Sequence, residues 1–276
     1  MTPQFLRAYP PAESIPGSAY WLPFHQDKVF VEVHDHTFTL IQGGEEVRDL
    51  LQPATALNLG TLAGKPCLAC EVAPGFTPPQ SWQAMELRAL YGRLDEQSST
   101  LAGYAAQLLL WEKTNRYCPA CGHITEPLAG TWGRHCPHCG YEHYPRVTPA
   151  VLVLVHDGER MLLTHKQGWG KRYSCIAGFV EPGESLEECV QREVYEEVGL
   201  EVTDIIYVGS QPWPYPHQLM VGFTARFVGG TLLPDGEELD DAQWFSVDAL
   251  PELPPPVSLA HHIIVGWINA HQPTNS

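Results

Sequence analysis

A short segment of the chain, residues 178–200, concentrates carboxylates where its spacing predicts a helix. The segment reads GFVEPGESLEECVQREVYEEVGL. Ser185 followed by Glu188 three residues later is typical of a capping box at a helix start, and Gly199 is typical of a left-handed helix end. The pattern therefore predicts about 13 residues of helix, beginning at Ser185 and stopping before Gly199.

This helix would bury acidic residues. The N-terminal half of its apolar face consists of Leu186, Cys189 and Val190. At roughly 100° per residue, Glu193 and Glu197 continue that face, and Glu196 lies about 60° from Glu193. Three carboxylates thus share an arc of about 100°. Like charges at this spacing destabilise a helix, and acids in its last turn meet the negative end of the helix dipole.

A metal site is the simplest reason for a sequence to break several local rules at once. Hard oxygen ligands clustered on one helical turn suit Mg²⁺ or Mn²⁺, which also contact substrate phosphates. The alternative is a solvated acidic face, which is our default interpretation for Glu187 and Glu188. It fits Glu193 and Glu197 less well, because these two residues interrupt the apolar stripe itself.

The segment resembles the Nudix box, whose pattern is Gly, five residues, Glu, seven residues, then Arg-Glu-apolar-x-Glu-Glu-x-Gly-apolar. The match has no gap or departure and is carried by Gly178, Glu184, Arg192, Glu193, Val194, Glu196, Glu197, Gly199 and Leu200. Nudix enzymes hydrolyse nucleoside diphosphates linked to another group, with divalent metals held by the helix glutamates. The resemblance therefore implies Glu193, Glu196 and Glu197 as catalytic metal ligands. It implies that Glu184 and Arg192 brace the loop and the helix.

Two Cys-x2-Cys knuckles, each followed by Gly, predict a zinc ribbon. Their cysteines are Cys118, Cys121, Cys136 and Cys139. Four thiolates close a tetrahedral site with no open position, so we expect one structural zinc per chain. The competing interpretation, a disulfide pair, is disfavoured in an intracellular protein.

The other four cysteines are predicted to be structural. Cys67 and Cys70 also form a Cys-x2-Cys, but in a strand-like context without flanking Gly, which favours two ordinary cysteines. Cys175 and Cys189 have the surroundings of small core residues.

A proline-rich segment, Ser210–Met220, follows the box. Three prolines and two aromatics in eleven residues predict a stiff loop that can wall a ring or ribose at low entropic cost. The segment is similar to the SQPWPFPxSLM motif of the NADH pyrophosphatase branch, whose members are also described as NAD-capped RNA hydrolases. Tyr215 for Phe is a mild change, whereas Gln218 for Ser replaces a small hydroxyl with a longer amide. The implied substrate contacts are Gln211, Pro212, Trp213, Pro214, Tyr215, Pro216, His217 and Gln218.

The resemblance covers roughly residues 80–276 and implies roles beyond these motifs. Tyr144 and Phe179 should pack on the nucleotide base, and Glu238 should complete the metal site from a distant loop. Without the resemblance, the alternative is that Tyr144 and Phe179 are core aromatics and that Glu238 is a surface acid.

Three further contacts are implied by position alone. Ala177 would offer its backbone carbonyl to a metal, and Ala260 matches a base-contacting position. Arg88 is a substrate contact only if the alignment includes a gap. Thr131 stands where the family often has a substrate-facing Glu, so that contact is expected to be absent.

The rest of the chain must position these residues, and its pattern predicts three domains. They are an N-terminal domain over 1–115, the zinc ribbon over 116–145 and a Nudix hydrolase domain over 146–276. In the N-terminal domain, two helical stretches follow strand-like pieces. The predicted strands are 28–34, 37–41 and 67–72, and the predicted helices are about 80–94 and 99–114.

The last domain is predicted to be an α+β fold, the Nudix αβα sandwich. A mixed sheet would carry the box helix on one face and a terminal helix, about 258–270, on the other. A zinc ribbon and a smaller N-terminal α/β domain precede it. The predicted strands are 150–156, 161–166, 173–180, 202–208, 219–228 and 242–247.

Charge and hydropathy limit the partners. A net charge of −16 argues against general DNA binding. Between Lys113 and Arg172, eight Lys or Arg against four Asp or Glu leave +4, while the rest of the chain carries −20. This basic segment could contact phosphates, or its charges could be unrelated. The N-terminus lacks a leader pattern and no apolar run approaches a membrane span, so we expect a cytoplasmic protein with no membrane partner.

We therefore expect a metal-dependent pyrophosphohydrolase that cleaves the diphosphate of NAD(H) to NMN(H) and AMP and removes the NAD cap from RNA 5′ ends. Zinc would be structural and Mg²⁺ or Mn²⁺ catalytic, and the resemblance implies a homodimer. One alternative is a Nudix hydrolase of another nucleoside diphosphate derivative such as ADP-ribose. The other is a non-catalytic zinc-ribbon RNA-binding module, which predicts missing box glutamates, and none is missing.

Overall fold

The computed structural model describes residues 5–10, 17–35 and 37–271 and separates the chain into two units, residues 1–146 and 147–276. Each unit has its own hydrophobic core. Residue 146, the predicted start of the last domain, is the last residue of the first unit.

A mixed sheet of eight short strands forms most of the N-terminal unit. The strands are β1 (Phe5–Arg7), β2 (Ala19–His25), β3 (Lys28–His34), β4 (Thr37–Thr39), β5 (Ile41–Gly43), β6 (Ala56–Leu62), β7 (Lys65–Glu71) and β8 (Trp82–Glu86). Their order is β1-β6-β7-β2-β3-β4, with β5 paired to β2 and β8 paired to β3. The predicted strand 37–41 is thus divided between β4 and β5.

Helices cover both faces of this sheet. They are α1 (Glu45–Leu51), α2 (Leu87–Leu90) and α3 (Glu96–Thr114). Leu101 and Leu108 of α3 pack in one core cluster, and Leu51 of α1 packs in a second. Helix α3 begins three residues before the predicted Ser99, because the Asp95 side chain accepts hydrogen bonds from two backbone N–H groups of the first turn.

The predicted helix over 80–94 is wrong for its first half. Trp82–Glu86 is strand β8, paired antiparallel with all five residues from Lys28 to Glu32 of β3, and only the short α2 follows it. Helix propensity is a weak preference, and pairing with an open sheet edge outweighs it here.

Cys67 and Cys70 lie on opposite faces of β7, as two residues three apart in a strand must. Both are fully buried, Cys67 in the cluster beneath α3 and Cys70 in the other. Burial raises the pKa of each thiol to about 12. The two thiols cannot share a metal or a disulfide in this arrangement.

The zinc ribbon completes the N-terminal unit with a small three-stranded sheet. Its strands are β9 (Glu126–Pro127), β10 (Arg134–His135) and β11 (Glu142–His143). The buried Arg134 guanidinium donates to Glu112 of α3 at 2.8 Å and to the backbone and hydroxyl oxygens of Thr125, both at 2.8 Å. Trp111 of α3 donates its indole N–H to the carbonyl of Trp132 at 2.7 Å. These bonds attach the ribbon to α3.

The C-terminal unit is built on a six-stranded mixed sheet. Its strands are β12 (Thr148–His156), β13 (Met161–His165), β14 (Ile176–Phe179), β15 (Leu200–Trp213), β16 (Gln218–Gly230) and β17 (Asp241–Phe245). The order is β15-β16-β12-β13-β17, with β14 paired to β12, and only β12 and β16 run parallel among these pairs.

One helix packs on each face of this sheet, as predicted. Residues of α4 (Leu186–Val198) share a core cluster with Val151 and Val153, whereas residues of α5 (Leu259–His271) share another with Leu152 and Leu154. Alternate residues of β12 therefore face opposite helices. The αβα sandwich predicted from the sequence is confirmed.

The proline-rich segment 210–220 is mostly strand rather than the predicted loop. Antiparallel pairing of β15 with β16 continues through Trp213 opposite Gln218, so only 214–217 form a turn. Because β15 is the edge strand, Pro212 can lack an N–H without breaking a ladder on its outer side.

We expect Arg134→Ala to lower the free energy of unfolding of the N-terminal unit by about 3 kcal/mol, because it leaves Glu112 and Thr125 without their partner in a buried network. Lys113→Ala is the control, since the Lys113–Glu71 pair is largely exposed and should contribute under about 1 kcal/mol. Denaturant unfolding of both variants measures the difference. Equal losses would contradict the role of Arg134.

Candidate active site

Helix α4 has the two ends predicted for it. The Ser185 hydroxyl accepts the Glu188 backbone N–H at 3.2 Å, and the Glu188 carboxylate accepts the Ser185 N–H at 2.7 Å. Gly199 follows the helix with φ of 69°, a left-handed conformation that favours glycine. Local sequence therefore fixes the helix bounds and the direction of each side chain.

The carboxylate of Glu197 is buried, as the helical spacing predicted. The residue is 3% exposed, and within the described residues neither carboxylate oxygen has a hydrogen-bond partner. Burial raises the pKa of this carboxyl to about 8, Lys166 opposes the shift, and Glu238, Glu193 and Asp235 add to it. A buried acid without hydrogen bonds destabilises the fold unless something else requires it.

Glu193 lies directly over the backbone of Gly178. A Cβ added to Gly178 would stand 1.7 Å from Cδ of Glu193, so only glycine leaves room for this carboxylate. Burial raises the pKa of Glu193, and Arg192 lowers it. Gly178, the first glycine of the box, thus leaves the space that is occupied by Glu193, fifteen residues later.

Arg192 braces the site, as the resemblance implied. Its guanidinium binds both carboxylate oxygens of Glu184 and donates to the Phe179 carbonyl at 2.9 Å. The same group donates to Glu193 at 2.8 Å and Glu196 at 3.0 Å. Arg192 holds the pKa of Glu184 near 2. One cation therefore fixes the strand end, the loop and two of the helix glutamates.

Lys166 was not predicted as a site residue. Its side chain lies beside the remaining two carboxylates, those of Glu197 and Glu238. Its Nζ lies 3.0 Å from Oε2 of Glu238 and 4.0 Å from Oε1 of Glu197. The only sequence signal was its place in the basic segment 113–172. Nothing in the sequence distinguished it from the seven other cations of that segment.

Glu238 sits on a turn that is tied to α4. The Asp235 carboxylate accepts the backbone N–H groups of Glu237, Glu238 and Leu239. The Asp235 N–H in turn donates to the backbone carbonyl of Glu197 at 3.0 Å. Leu239 is buried and anchors the turn in the core. The Glu238 side chain is 64% exposed but is paired with Lys166.

His165, at the end of β13 and next to Lys166, contacts two loops, one containing Gly170 and the other containing Asp240. Its Nδ1 faces a carboxylate oxygen of Asp240 and its Nε2 lies 2.9 Å from the carbonyl of Gly170. Both partners are acceptors and, led by Asp240, they raise the pKa of His165. The Asp240 N–H also donates to the His165 carbonyl at 3.1 Å.

Several side chains predicted to contact substrate take part in the fold of the C-terminal unit. Gln211 donates to the Val257 carbonyl at 3.0 Å and accepts the Leu259 N–H at 2.9 Å, at the start of α5. The His217 ring lies 3.0 Å from the Thr148 hydroxyl. Ala260 is buried in the core beneath α5.

The other predicted contacts of this unit lie at strand ends. Phe179 is 50% exposed at the end of β14, and Ala177 is half-buried two residues before it. The rings of Trp213 and Tyr215 meet edge to face at 4.9 Å. Pro212, Pro214, Pro216 and Gln218 share this part of the β15–β16 hairpin.

Tyr144 and Arg88 belong to the N-terminal unit. Tyr144 is 51% exposed, its hydroxyl donates to Glu142 at 3.1 Å, and its ring lies against Gly133. Arg88 lies in α2. Tyr144 and Phe179 are therefore surface aromatics, so the alternative that they are core residues is wrong.

The four knuckle cysteines converge as predicted. The Sγ atoms of Cys118 and Cys139 are 3.6 Å apart, those of Cys121 and Cys136 are 3.5 Å apart, and all four lie within 4.8 Å of one another. Four thiol sulfurs at these separations fit one tetrahedral zinc.

The glutamates carry the oxygen ligands that suit a hard divalent cation, but their oxygen atoms do not lie in one tight cluster. Among the described residues, sets of three or more ligating atoms within 4.8 Å occur in the ribbon alone, so the helix glutamates and Glu238 form a wider group. The two oxygens of Glu197 without hydrogen-bond partners are the observation that fits a metal, because an ion supplies the contact that a buried carboxylate needs.

Three family models match the chain. The one described as NUDIX domain matches residues 146–267. Those described as NADH pyrophosphatase-like rudimentary NUDIX domain and as NADH pyrophosphatase zinc ribbon domain match residues 18–111 and 113–144. Within the described residues, none of the helices has the length and hydropathy of a membrane span.

Two proteins that share the name NAD-capped RNA hydrolase NudC are similar to this chain. The NAD-capped RNA hydrolase NudC of Stutzerimonas stutzeri is 42% identical over 209 residues, which are 75% of this chain and 75% of its own. The protein of that name from Chromobacterium violaceum is 45% identical over 194 residues, 69% of this chain and 72% of its own. A crystal structure of a Nudix hydrolase from Nitrosomonas europaea, 23% identical, matches 56% of this chain and 90% of its own with a TM-score of 0.47.

We expect one zinc per chain and expect Cys118→Ser to lower zinc content and the stability of the N-terminal unit together, because metal binding and folding are coupled in such sites. Cys70→Ala is the control, since it removes a buried thiol outside the ribbon. Metal analysis and thermal unfolding report the two effects. Freshly purified, reduced wild-type protein without zinc would disprove the prediction.

Glu197 should make stability depend on pH when no Mg²⁺ or Mn²⁺ is added. Its pKa is about 8 in the folded chain against an ordinary 4.5, so between these values the folded state binds the extra proton. The free energy of unfolding must therefore fall as pH rises through this range. We expect Glu197→Gln to reduce this fall, to which Glu193 also contributes, and exposed Glu187→Gln to retain it in full. Denaturant unfolding across the range measures it, and matching profiles for wild type and Glu197→Gln would refute the assignment.

Proposed function

The chain belongs to the Nudix hydrolase family, in the branch of NADH pyrophosphatases and NAD-capped RNA hydrolases, and we propose that it hydrolyses the diphosphate bond of NAD(H) to give NMN(H) and AMP. The same reaction would remove the NAD cap from RNA 5′ ends. The observation that carries the proposal is the buried carboxylate of Glu197, which lies within a complete Nudix box and whose oxygens have no hydrogen-bond partner among the described residues.

We infer that Glu193, Glu196, Glu197 and Glu238 hold Mg²⁺ or Mn²⁺, with the backbone carbonyl of Ala177 as a further ligand. When bound, such ions neutralise the diphosphate and lower the pKa of an attacking water. Arg192 orients Glu193 and Glu196 through the contacts of its Nη1. The 235–239 turn, bonded to the last turn of α4, carries Glu238 to the same end of the helix.

Glu197 is our first choice for the residue that directs water activation. Its oxygens are buried at the end of α4 and are not engaged by protein donors among the described residues. We infer that the proton acceptor is one of the site glutamates, and burial raises the pKa of both Glu193 and Glu197.

Exposed aromatics supply a basis for nucleotide binding. We propose Phe179 of the C-terminal unit and Tyr144 of the N-terminal unit, each by itself, as an aromatic that can stack on a base, a contact worth roughly 1 to 3 kcal/mol per base. In the C-terminal unit, residues 211–218 and Ala260 would add substrate contacts. In the N-terminal unit, Arg88 would contribute a charge. Edge-to-face contact between Trp213 and Tyr215 fits a rigid wall.

The proposal includes the setting of the enzyme. We keep the division into 1–115, 116–145 and 146–276, and we propose a homodimer that works in the cytoplasm. The ribbon's firm attachment to α3 through Arg134 supports a structural role for its zinc.

The function is tested by comparing hydrolysis of NADH, NAD, ADP-ribose and NAD-capped RNA with Mg²⁺ and with Mn²⁺. We expect NADH and NAD-capped RNA to be cleaved with a higher kcat/KM than ADP-ribose. Glu197→Gln should reduce turnover at least about a hundredfold, whereas Glu187→Gln on the exposed face should not. A preference for ADP-ribose would replace the substrate assignment, and near-normal turnover of Glu197→Gln would remove that residue from the mechanism.

A further inference from the structure

Two cations divide the four carboxylates between them. Arg192 contacts Glu193 and Glu196 from within α4. Lys166 contacts Glu197 and Glu238 from the end of the neighbouring strand β13. The first cation belongs to the Nudix box, and the second lies outside every motif of the sequence.

Lys166 is placed by the fold rather than by local sequence. It follows His165, the last residue of β13, and β13 pairs with β17, which begins just after the 235–239 turn. The side chain is 27% exposed, so its ammonium group is partly shielded from water. A shielded charge interacts more strongly with its neighbours than a fully solvated one.

The surroundings of Lys166 are strongly acidic. Glu238, Glu193 and Asp235 all act electrostatically on Glu197, and Glu238 also acts on Glu193. The 3.0 Å contact with Glu238 and the 4.0 Å approach to Glu197 place a single positive charge between two acids on different elements. Without it, the exposed Glu238 would be repelled from the end of α4.

We propose that Lys166 is a positioning residue for the site: it holds Glu238 beside Glu197 as an internal counter-ion and competes with the divalent metal for both carboxylates. This inference rests on the proposed metal role of Glu197 and Glu238. A metal that binds them must displace the ammonium group or bind against its repulsion, so Lys166 sets an upper limit on metal affinity while it orders the turn.

Lys166→Gln separates the two effects. Losing the positive charge removes the competitor, so Mn²⁺ should bind about five- to tenfold more tightly. Losing the contact loosens the turn, so without Mn²⁺ the amides of Gly236–Leu239 should exchange hydrogen about tenfold faster. A lysine with only a structural role would not tighten metal binding.

The experiment uses the full-length protein with zinc in its ribbon. Mn²⁺ titration followed by electron paramagnetic resonance gives affinity, and hydrogen exchange gives the order of the turn. Lys166→Arg keeps the charge and should resemble wild type in both measurements. Lys171→Gln removes an exposed charge from the same loop and is the matched control. Unchanged or weaker Mn²⁺ binding by folded Lys166→Gln would overturn the inference.

Glu197→Gln in the same titration distinguishes this inference from the function it rests on. Loss of Mn²⁺ binding in that variant, with tighter binding in Lys166→Gln, supports both. Loss in Glu197→Gln without tightening in Lys166→Gln overturns the inference alone. Wild-type affinity in Glu197→Gln overturns the metal role of Glu197 and the inference together.

Discussion

Burial of the Glu197 carboxylate is the constraint around which the C-terminal unit is built. Within the part of the chain that the structure describes, this carboxylate is 3% exposed and has no hydrogen-bond partner, so it opposes folding, and its neighbours on the helix are acids as well. The unit must therefore gain its stability elsewhere. It does so through two apolar layers, one on each face of a single sheet, and through a helix whose two ends are both capped. The stability of these regular elements offsets the destabilising effect of the buried carboxylate.

The unfavourable carboxylates are kept in place by three features: Gly178, Arg192 and the turn around Asp235. Gly178 has no side chain, and this leaves room for the Glu193 carboxylate against its backbone. Arg192 spans a strand end, a loop and a helix with a single guanidinium, whose planar donors suit several acceptors at once. Asp235 organises a turn whose own N–H bonds the last turn of α4. These contacts fix the positions of the glutamate side chains.

Local chemistry explains why much of this was predictable. The bounds of α4 follow from Ser185 and Gly199, and the burial of Glu197 follows from helical periodicity. Lys166 and the Asp235 turn could not be predicted, because they reach Glu197 only through the pairing of β13 with β17. The helix expected over 80–94 is absent from residues 82–86 for a related reason: β8 pairs with β3, whose paired residues lie 50 to 58 positions earlier, and no local pattern reveals that partner.

The proline-rich segment shows where a motif and its physical role differ. Its sequence suggested a loop made stiff by prolines, whereas pairing with β16 continues to Trp213. Gln211 then bonds the carbonyl of Val257 and the N–H of Leu259, which fastens this hairpin to the start of α5. These two bonds use one N–H and one oxygen lone pair of the Gln211 amide and fix its orientation. The motif therefore has a physical role in the fold itself, because it ties an edge hairpin to the helix on one face of the sheet.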